Sequence, residues 1–251
     1  MKEKEMIFGI RAVIEAAEAG KDIDKVLVKQ GLQGELYNEL QIVLRTHEIP
    51  MQKVPVERIN RFTQKNHQGV IAFTSPITYQ RLDQLVPLLY EQGKNPFIVV
   101  LDGITDVRNF GAIARTCEVA GVDAIVIPSR GSVSANADAV KTSAGALHRI
   151  PVCREQHLKE AVVYLKNSGI KVVAASEKAA RNYTECDFSV PTALVMGSED
   201  KGVSTEILRI SDELVRIPQF GTIGSLNVSV AAGILIYEVI RQRQEKAKKE
   251  R

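Results

Sequence analysis

The chain has 251 residues, of which 45% are hydrophobic and 25% charged, with a formal net charge of +3. These fractions are typical of a globular protein and exclude a disordered or fibrous chain. No apolar run of about 18 residues occurs, and the opening Met-Lys-Glu-Lys-Glu-Met lacks the apolar stretch of a signal peptide. We therefore expect a cytoplasmic protein without a membrane span.

The positive charge is concentrated at the C-terminal end. Residues 241–251 carry six basic and two acidic side chains, which leaves 27 basic and 28 acidic ones in the rest of the chain. We interpret this end as a solvated, fraying helix terminus, and the composition alone does not indicate RNA binding. Cys117, Cys153 and Cys186 lack a Cys-x-x-Cys pair, which predicts buried thiols and neither a disulfide nor a metal site.

The first part of the chain reads as a small α/β unit. A helix is predicted near residues 10–19, and strands near 25–29, 52–54 and 70–74. We assign residues 1–76 to this domain. Residues 77–95, with a helix near 81–91 and the loop Gln92-Gly-Lys-Asn-Pro96 at its end, are predicted to link it to a second domain, 96–251.

The second domain alternates short apolar runs with helical patterns, which predicts a parallel sheet covered on both faces. The final helix, 228–243, is apolar on nearly all sides as far as Tyr237, so we expect it to pack against a sheet or a second copy of the chain. The predicted strands are residues 97–101, 124–127, 172–175, 193–196 and 214–217.

Several common sites are absent from the sequence. It contains no Gly-x-Gly-x-x-Gly, no P-loop, no His-Glu-x-x-His and no Gly-x-Ser-x-Gly. Hydride transfer, P-loop phosphoryl transfer and zinc chemistry are therefore disfavoured, and the four isolated histidines are interpreted as structural or surface residues.

Three predicted strand ends run into polar, glycine-containing loops, and ligands of open α/β sheets bind at such ends. In the first, Asn109 is predicted to cap a helix on which Arg115 points back over Gly111 and Ala112, so that both reach one anionic or hydroxyl-bearing group. The alternative is a capped helix with a surface arginine.

In the second loop, Gly197 would let a ligand approach the backbone and Glu199 adds a carboxylate, although a tight turn with solvated charges fits equally. In the third loop, Ser225 and Asn227 stand at the start of the final helix. They serve there either as caps or as polar groups facing a ligand.

Three segments together resemble the motifs of the SpoU (TrmH) family of RNA ribose 2′-O-methyltransferases. They are Asn109-x-Gly-Ala-Ile-x-Arg115-Thr, Gly197-Ser-Glu199 and Ile217-Pro-x-x-Gly-x-x-x-Ser225-Leu-Asn227-Val-Ser-Val-Ala. The opening Ile7-Phe-Gly-Ile-Arg-Ala-Val-Ile-Glu-Ala resembles that family's small substrate-binding domain. Leu101-Asp-Gly-Ile-Thr-Asp and Lys141-Thr-Ser-Ala-Gly145 resemble the bacterial subgroup that methylates guanosine in large-subunit (23S) ribosomal RNA.

The resemblance implies a SPOUT-type knotted parallel-sheet catalytic domain with a C-terminal trefoil knot, a homodimer, RNA as partner, S-adenosyl-L-methionine as cofactor and no metal. Carried over residue by residue, it implies a catalytic set of Asn109, Arg115, Glu199, Ser225 and Asn227. It implies a cofactor-binding set of Met196, Gly197, Ile217, Gly221, Ser225 and Leu226.

Arg115 is the residue whose role is least settled by the resemblance. The family's matching arginine is proposed to activate the ribose hydroxyl, but a guanidinium with a pKa above about 12 is a poor base. We therefore expect Arg115 to grip the phosphate beside the target ribose.

RNA contacts in the first domain are expected from local patches, since the body of the chain is nearly neutral; a merely solvated surface is the alternative. The candidates are Arg11, Lys29, Arg58, Arg61 and Lys65, with Phe62 available to stack on a base. Three other functions stay open: a transfer RNA ribose methyltransferase, a non-catalytic RNA-binding or ribosome-assembly protein, and a small-molecule methyltransferase, which would leave the first domain without a role.

Overall fold

The computed structural model describes residues 6–249, and the chain divides into two units. One holds the chain up to Thr78 together with residues 134–137, and the other holds the rest. The first five residues, and Glu250 and Arg251 of the basic end, lie outside the described residues. Each unit is described separately below.

The first unit is a four-stranded mixed sheet with helices. Its strand order is β1-β4-β2-β3, in which β2 and β3 are parallel and the other pairs antiparallel. This is the small α/β unit that the sequence predicts. Its elements are β1 (Met6–Phe8), α1 (Ile10–Glu18), β2 (Ile23–Lys29), α2 (Glu35–Thr46), β3 (Met51–Val54), α3 (Val56–Asn60) and β4 (Val70–Thr74).

Helix α2 was not predicted, although its sequence carries the necessary signal. Tyr37, Leu40, Val43 and Leu44 recur at helical spacing and are all buried in the core that α1 and α2 form over one face of the sheet. The polar residues between them concealed this period. Strand β1 and helix α3 were also missed because each is five residues long or shorter.

The second unit contains a seven-stranded sheet in which every pair is parallel, ordered β7-β6-β5-β10-β8-β11-β9. The predicted α/β fold with a parallel sheet is thus confirmed. Its strands are β5 (Phe97–Asp102), β6 (Ala124–Pro128), β7 (Val152–Glu155), β8 (Lys171–Ala175), β9 (Arg181–Asn182), β10 (Thr192–Gly197) and β11 (Glu213–Arg216). Its helices are α4 (Leu82–Glu91), α5 (Val107–Ala120), α6 (Ala137–Thr142), α7 (Leu158–Asn167), α8 (Thr205–Ile210) and α9 (Val228–Lys249).

The strands of this sheet are apolar throughout because helices cover both faces. Alternate residues such as Val100 and Val195 pack with α4, α7 and α8 in one core. Helices α5 and α9 contact each other and the opposite face, where Val99 and Leu194 are fully buried. The predicted glycine stops are confirmed, since Gly121 and Gly169 follow α5 and α7 with φ of 74° and 79°.

The segment predicted as a linker, 77–95, contains α4. Leu82, Leu85, Val86 and Leu89 of this helix are buried in the core of the second unit. The units therefore divide between Thr78 and Tyr79, and the domain bounds drawn from the sequence, 1–76 and 96–251, stay a prediction.

Over the described residues the C-terminal end is a helix whose residues 244–249 are all exposed, so the predicted solvated helix end is confirmed while its fraying stays a prediction. Helix α9 continues to Lys249, and the guanidinium of Arg243 donates hydrogen bonds to the carbonyl oxygens of Asn95 (2.7 Å), Pro96 (3.0 Å) and Val190 (2.9 Å). Arg241 pairs with Glu238 and Glu245. The Arg243 contacts anchor the helix to the start of β5 and to the segment before β10, whereas the Arg241 pairs lie within α9.

The three cysteines are free and buried, as predicted. Burial raises the pKa of the Cys117 thiol and raises those of Cys153 and Cys186 to about 12. Among residues 6–249, no helix is both long and apolar enough to cross a membrane.

Candidate active site

Helix α5 begins three residues earlier than the sequence suggested, which changes the role of Asn109. Asp106 is the N-cap, and its Oδ1 accepts hydrogen bonds from the backbone N–H of Arg108 (2.6 Å) and of Asn109 (3.2 Å). A hydrogen bond from the Arg108 guanidinium, with those two backbone bonds, lowers the pKa of Asp106. The prediction of Asn109 as the cap is wrong because a carboxylate three residues earlier fills that position, which frees the Asn109 amide for other contacts.

Three polar side chains from three separate segments meet at the carboxyl edge of the sheet. The Asn109 Nδ2 donates to Glu199 Oε1 over 2.8 Å. The Asn227 Nδ2 donates to the same oxygen over 2.8 Å and to Asn109 Oδ1 over 3.0 Å. We call Asn109, Glu199 and Asn227 the polar triangle. It joins the first turn of α5, the loop after β10 and the start of α9.

The Asn227 side chain also begins α9. Its Oδ1 accepts hydrogen bonds from the backbone N–H of Ser229 (2.9 Å) and Val230 (3.4 Å). One carboxamide therefore caps a helix with its oxygen and holds Glu199 with its nitrogen. The predicted helix cap is thus present, whereas the role of Asn227 as a polar group facing a ligand stays a prediction.

Arg115 lies outside the polar triangle. Its side chain is exposed on α5, and no hydrogen bond or ion pair joins it to another residue of the range 6–249. The space beside Gly111 is filled, because a Cβ there would lie 2.6 Å from the Cβ of Thr142. Gly111 is small so that α5 can pack closely against residues 142–143.

A cavity of about 370 Å³ opens beside the triangle, at the carboxyl ends of β8, β10 and β11. Glu199 contributes to its wall, so the cavity and the triangle share a residue. Gly221, the remaining member of the predicted cofactor set, does not line the cavity and is exposed on the loop before α9. The predicted cofactor residues that do line it are Met196, Gly197, Ile217, Ser225 and Leu226.

Gly197 is required by the fold itself. A Cβ at this position would lie 2.0 Å from the backbone carbon of Gly202 and 2.0 Å from the backbone nitrogen of Val203. The loop therefore turns back directly over the end of β10, held by the Gly202 N–H bond to the Ser198 carbonyl (2.8 Å). The chain fills the space beside the Gly197 Cα, while Gly197 itself lines the cavity, so the approach of a ligand to its backbone stays a prediction.

The loop after β8 was missed. Ser176, Glu177 and Lys178 line the same cavity and bring a carboxylate and an ammonium to its edge. The signal was available, since β8 was predicted and every parallel strand of the sheet ends at this edge. Within the described part of the chain, no group of three or more His, Cys, Asp or Glu residues is arranged to hold a metal ion.

Comparison with known proteins identifies the class to which this fold and site belong. Residues 96–237 match the family model described as the SpoU rRNA Methylase family, and residues 6–80 match the model for RNA 2′-O ribose methyltransferase substrate binding. A Staphylococcus saprophyticus protein provisionally named a TrmH family tRNA/rRNA methyltransferase is 35% identical over 241 residues, which cover 96% of this chain and 97% of that protein.

Similarity to solved structures indicates the same class of protein. An AdoMet-bound rRNA methyltransferase from Sinorhizobium meliloti aligns with a TM-score of 0.61 and 26% identity, covering 94% of this chain and 87% of that one. The A. aeolicus TrmH/SpoU tRNA modifying enzyme aligns with a TM-score of 0.56 and 32% identity, covering 68% of this chain and 88% of that one. These are α/β enzymes that methylate or modify RNA. This chain belongs to the SpoU family of RNA methyltransferases.

Proposed function

We propose that this protein transfers a methyl group from S-adenosyl-L-methionine to a ribose 2′-hydroxyl of RNA, and that its substrate is a guanosine of large-subunit ribosomal RNA. The observation that carries the proposal is the polar triangle of Asn109, Glu199 and Asn227 at the rim of a cavity. Family membership supports the chemistry, and the match of residues 6–80 supports ribose in RNA as the acceptor.

The cavity fits the cofactor in size and lining. Pockets for ligands of this size measure about 300–1,000 Å³ and combine apolar walls with a few polar groups. Met196, Ile217 and Leu226 supply apolar wall for an adenine ring, and the Glu177 carboxylate and Ser225 hydroxyl supply partners for ribose hydroxyls. When bound, S-adenosyl-L-methionine supplies an electrophilic methyl group.

The residues of this chain position the acceptor and handle its proton. Asn109 and Asn227 both donate to Oε1 of Glu199, which holds that carboxylate in a fixed orientation beside the cavity. The other carboxylate oxygen is left to accept a hydrogen bond from the ribose hydroxyl, an alignment that lowers the entropic cost of reaction. The hydroxyl proton passes to this carboxylate oxygen as the ribose oxygen is methylated, while Arg115 grips the adjacent RNA phosphate and so holds the ribose in place.

The share of this chain that each similar solved structure covers favours ribosomal RNA over transfer RNA as the substrate. The similarity to the S. meliloti rRNA methyltransferase extends over 94% of this chain, whereas the A. aeolicus tRNA modifying enzyme matches 68%. The first comparison therefore covers about a quarter more of this chain than the second. A transfer RNA substrate is the second candidate.

A homodimer and a trefoil knot are part of the proposal. Val119 of α5 and Val230 and Tyr237 of α9 are 66%, 51% and 50% exposed, although these two helices pack against each other. Their exposure supports a second copy of the chain covering them. After β10 the chain re-enters the sheet as β11, which lies on the far side of β8. The next helix, α9, then packs against α5. This path past the tight 198–203 loop supports a knot. A cytoplasmic location stays a prediction.

The test is transfer of labelled methyl groups from S-adenosyl-L-methionine to unmodified large-subunit ribosomal RNA and to unmodified transfer RNA in parallel. Cofactor binding is measured separately by calorimetry. Label on ribosomal RNA that is lost in Asn109→Ala supports the proposal. Label on transfer RNA alone contradicts ribosomal RNA as the substrate. Tight cofactor binding without methyl transfer to RNA or to assembling ribosomal particles indicates a non-catalytic RNA-binding protein.

A further inference from the structure

The sheet of the first unit has two unlike faces. One face is covered by α1 and α2 over a large apolar core. The opposite face carries a small cluster of Leu27, Val54, Ile59, Ile71 and Phe73, over which α3 lies. We call this second side, with α3 and the following residues as far as Lys65, the α3 face.

Charge is divided between the two sides. Helices α1 and α2 contain two arginines and four glutamates. Residues 56–65 contain three basic residues and one acidic residue, Glu57. Lys25 and Lys29 alternate with Leu27 along β2 and so share the α3 face. The α3 face therefore carries five cations and one carboxylate, which gives it a net positive charge beside a net negative helical side.

The cations surround aromatic rings. The Phe62 ring packs edge-on against Phe73 at a centroid distance of 5.1 Å and remains 37% exposed. The ammonium of Lys25 lies 5.3 Å from the Phe73 ring centre, and that of Lys65 lies 5.6 Å from the Phe8 ring centre. An exposed ring held by a buried one, with ammonium groups close by, suits a flat base joined to phosphates.

Several of these cations have no partner in the protein. Within residues 6–249, no carboxylate pairs with Lys29, Arg58 or Arg61, and each of these side chains is exposed. Arg11, named with them from the sequence, differs. It lies on α1 and forms an ion pair with Glu39 of α2 at 3.1 Å. Arg11 therefore differs from the other predicted basic candidates in both its position and its ion pair.

We propose that the α3 face binds an unpaired segment of the RNA substrate, with a nucleobase stacked on Phe62 and phosphates on Lys25, Lys29, Arg58, Arg61 and Lys65. The inference rests on the proposed function for the identity of the polymer and adds the surface and the mode of contact. Positive charge alone would fit any polyanion, but the exposed ring among the cations selects one with free bases. The helical side of the unit takes no part.

The experiment uses the full chain and unmodified in vitro transcribed large-subunit ribosomal RNA, with dissociation constants measured over a series of salt concentrations. Arg61→Ala removes one phosphate contact, so the slope of log affinity against log salt falls by about 0.7, the value for one phosphate of a single strand. Arg45→Ala is the matched control, an exposed arginine on α2, and leaves the slope unchanged. Arg11→Ala behaves like this control.

Phe62 is tested by two substitutions. Phe62→Leu keeps an apolar contact with Phe73 but removes the stacking surface, which weakens RNA binding about tenfold without changing the salt slope. Phe62→Tyr keeps the ring and restores binding. Unaltered binding in Phe62→Leu and Arg61→Ala, or an equal loss in Arg45→Ala, overturns the proposal.

Methyl transfer separates this inference from the proposed function. If the wild-type protein methylates the RNA and the α3-face variants have an unchanged KM, the proposed RNA-binding surface is contradicted while the proposed function is supported. If the variants bind more weakly but no preparation methylates any RNA, the proposed function fails while the surface stands. Calorimetric titration with S-adenosyl-L-methionine alone is expected to give the same cofactor affinity in every variant.

Discussion

Asn227 Nδ2 donates a hydrogen bond to Glu199 Oε1 over 2.8 Å, while Oδ1 of the same side chain accepts the Ser229 N–H at the start of α9. The orientation of a carboxylate at the cavity is thereby coupled to the capping of a helix. Because the two roles use different atoms, substitutions can separate them.

Asn227→Asp keeps the capping oxygen but places a second carboxylate against Glu199. We expect a folded protein whose methyl transfer falls about 100-fold, because repulsion displaces Glu199 from its position. Asn227→Ala also loses the cap and should cost about 1 kcal/mol of unfolding free energy. Initial rates and thermal unfolding of both variants check this. A wild-type rate in Asn227→Asp would remove the polar triangle from catalysis.

Arg115→Lys keeps the charge but loses the planar fork that binds two phosphate oxygens. We expect a loss of about 1.5–3 kcal/mol in transition-state binding, which is tenfold or more in kcat/KM. Stability should be unchanged, since Arg115 is exposed and makes no polar contact within residues 6–249. Steady-state kinetics on RNA provide the measurement, and near-normal turnover would show that a cation alone suffices.

Gly197→Ala forces a Cβ into the backbone of residues 202–203, which lies 2.0 Å away. We expect a destabilisation of about 1–3 kcal/mol or more and loss of cofactor binding as the loop is displaced. Gly221→Ala is the matched control for stability, because nothing lies within 4 Å of its added Cβ. Urea unfolding of the two variants compares them, and equal stabilities would contradict the close approach.

Arg243→Ala removes the guanidinium that binds four carbonyl oxygens, those of Asn95, Pro96, Phe188 and Val190. We expect the free energy of unfolding to fall by about 2–3 kcal/mol, since these acceptors would lose charge-assisted bonds. Lys248→Ala, at an exposed position near the end of the same helix, should change it by less than about 0.5 kcal/mol. Similar unfolding midpoints for the two variants would mean that the end of α9 is not anchored.

The sequence predicts those parts of the fold that follow from local patterns. The central strands, from Phe97 and Ala193 onward, are uninterrupted apolar runs, and Gly121 and Gly169 end helices in the left-handed conformation that glycine adopts easily. Strand β9 has two residues and is defined only by its pairing with β11. Its existence depends on tertiary structure and leaves no periodic signal.

The candidate site could likewise be predicted from the sequence only in part. The motif residues Asn109, Glu199 and Asn227 could be named in advance, but their mutual hydrogen bonds span 28 to 118 positions of the chain. The competition between Asp106 and Asn109 for the cap of α5 could not be resolved from residue type, since both are favoured there. The backbone contact at Gly197 depends on the path of the loop, which no local pattern encodes.

Ribose 2′-O-methylation is tested most directly by nucleoside mass spectrometry of large-subunit ribosomal RNA incubated with the protein and isotopically labelled S-adenosyl-L-methionine. We predict one labelled 2′-O-methylguanosine, formed about 100-fold more slowly when Asn227→Asp replaces the wild-type protein. Label on a nucleobase, or no label in any RNA from a protein that binds the cofactor, would contradict the proposed reaction.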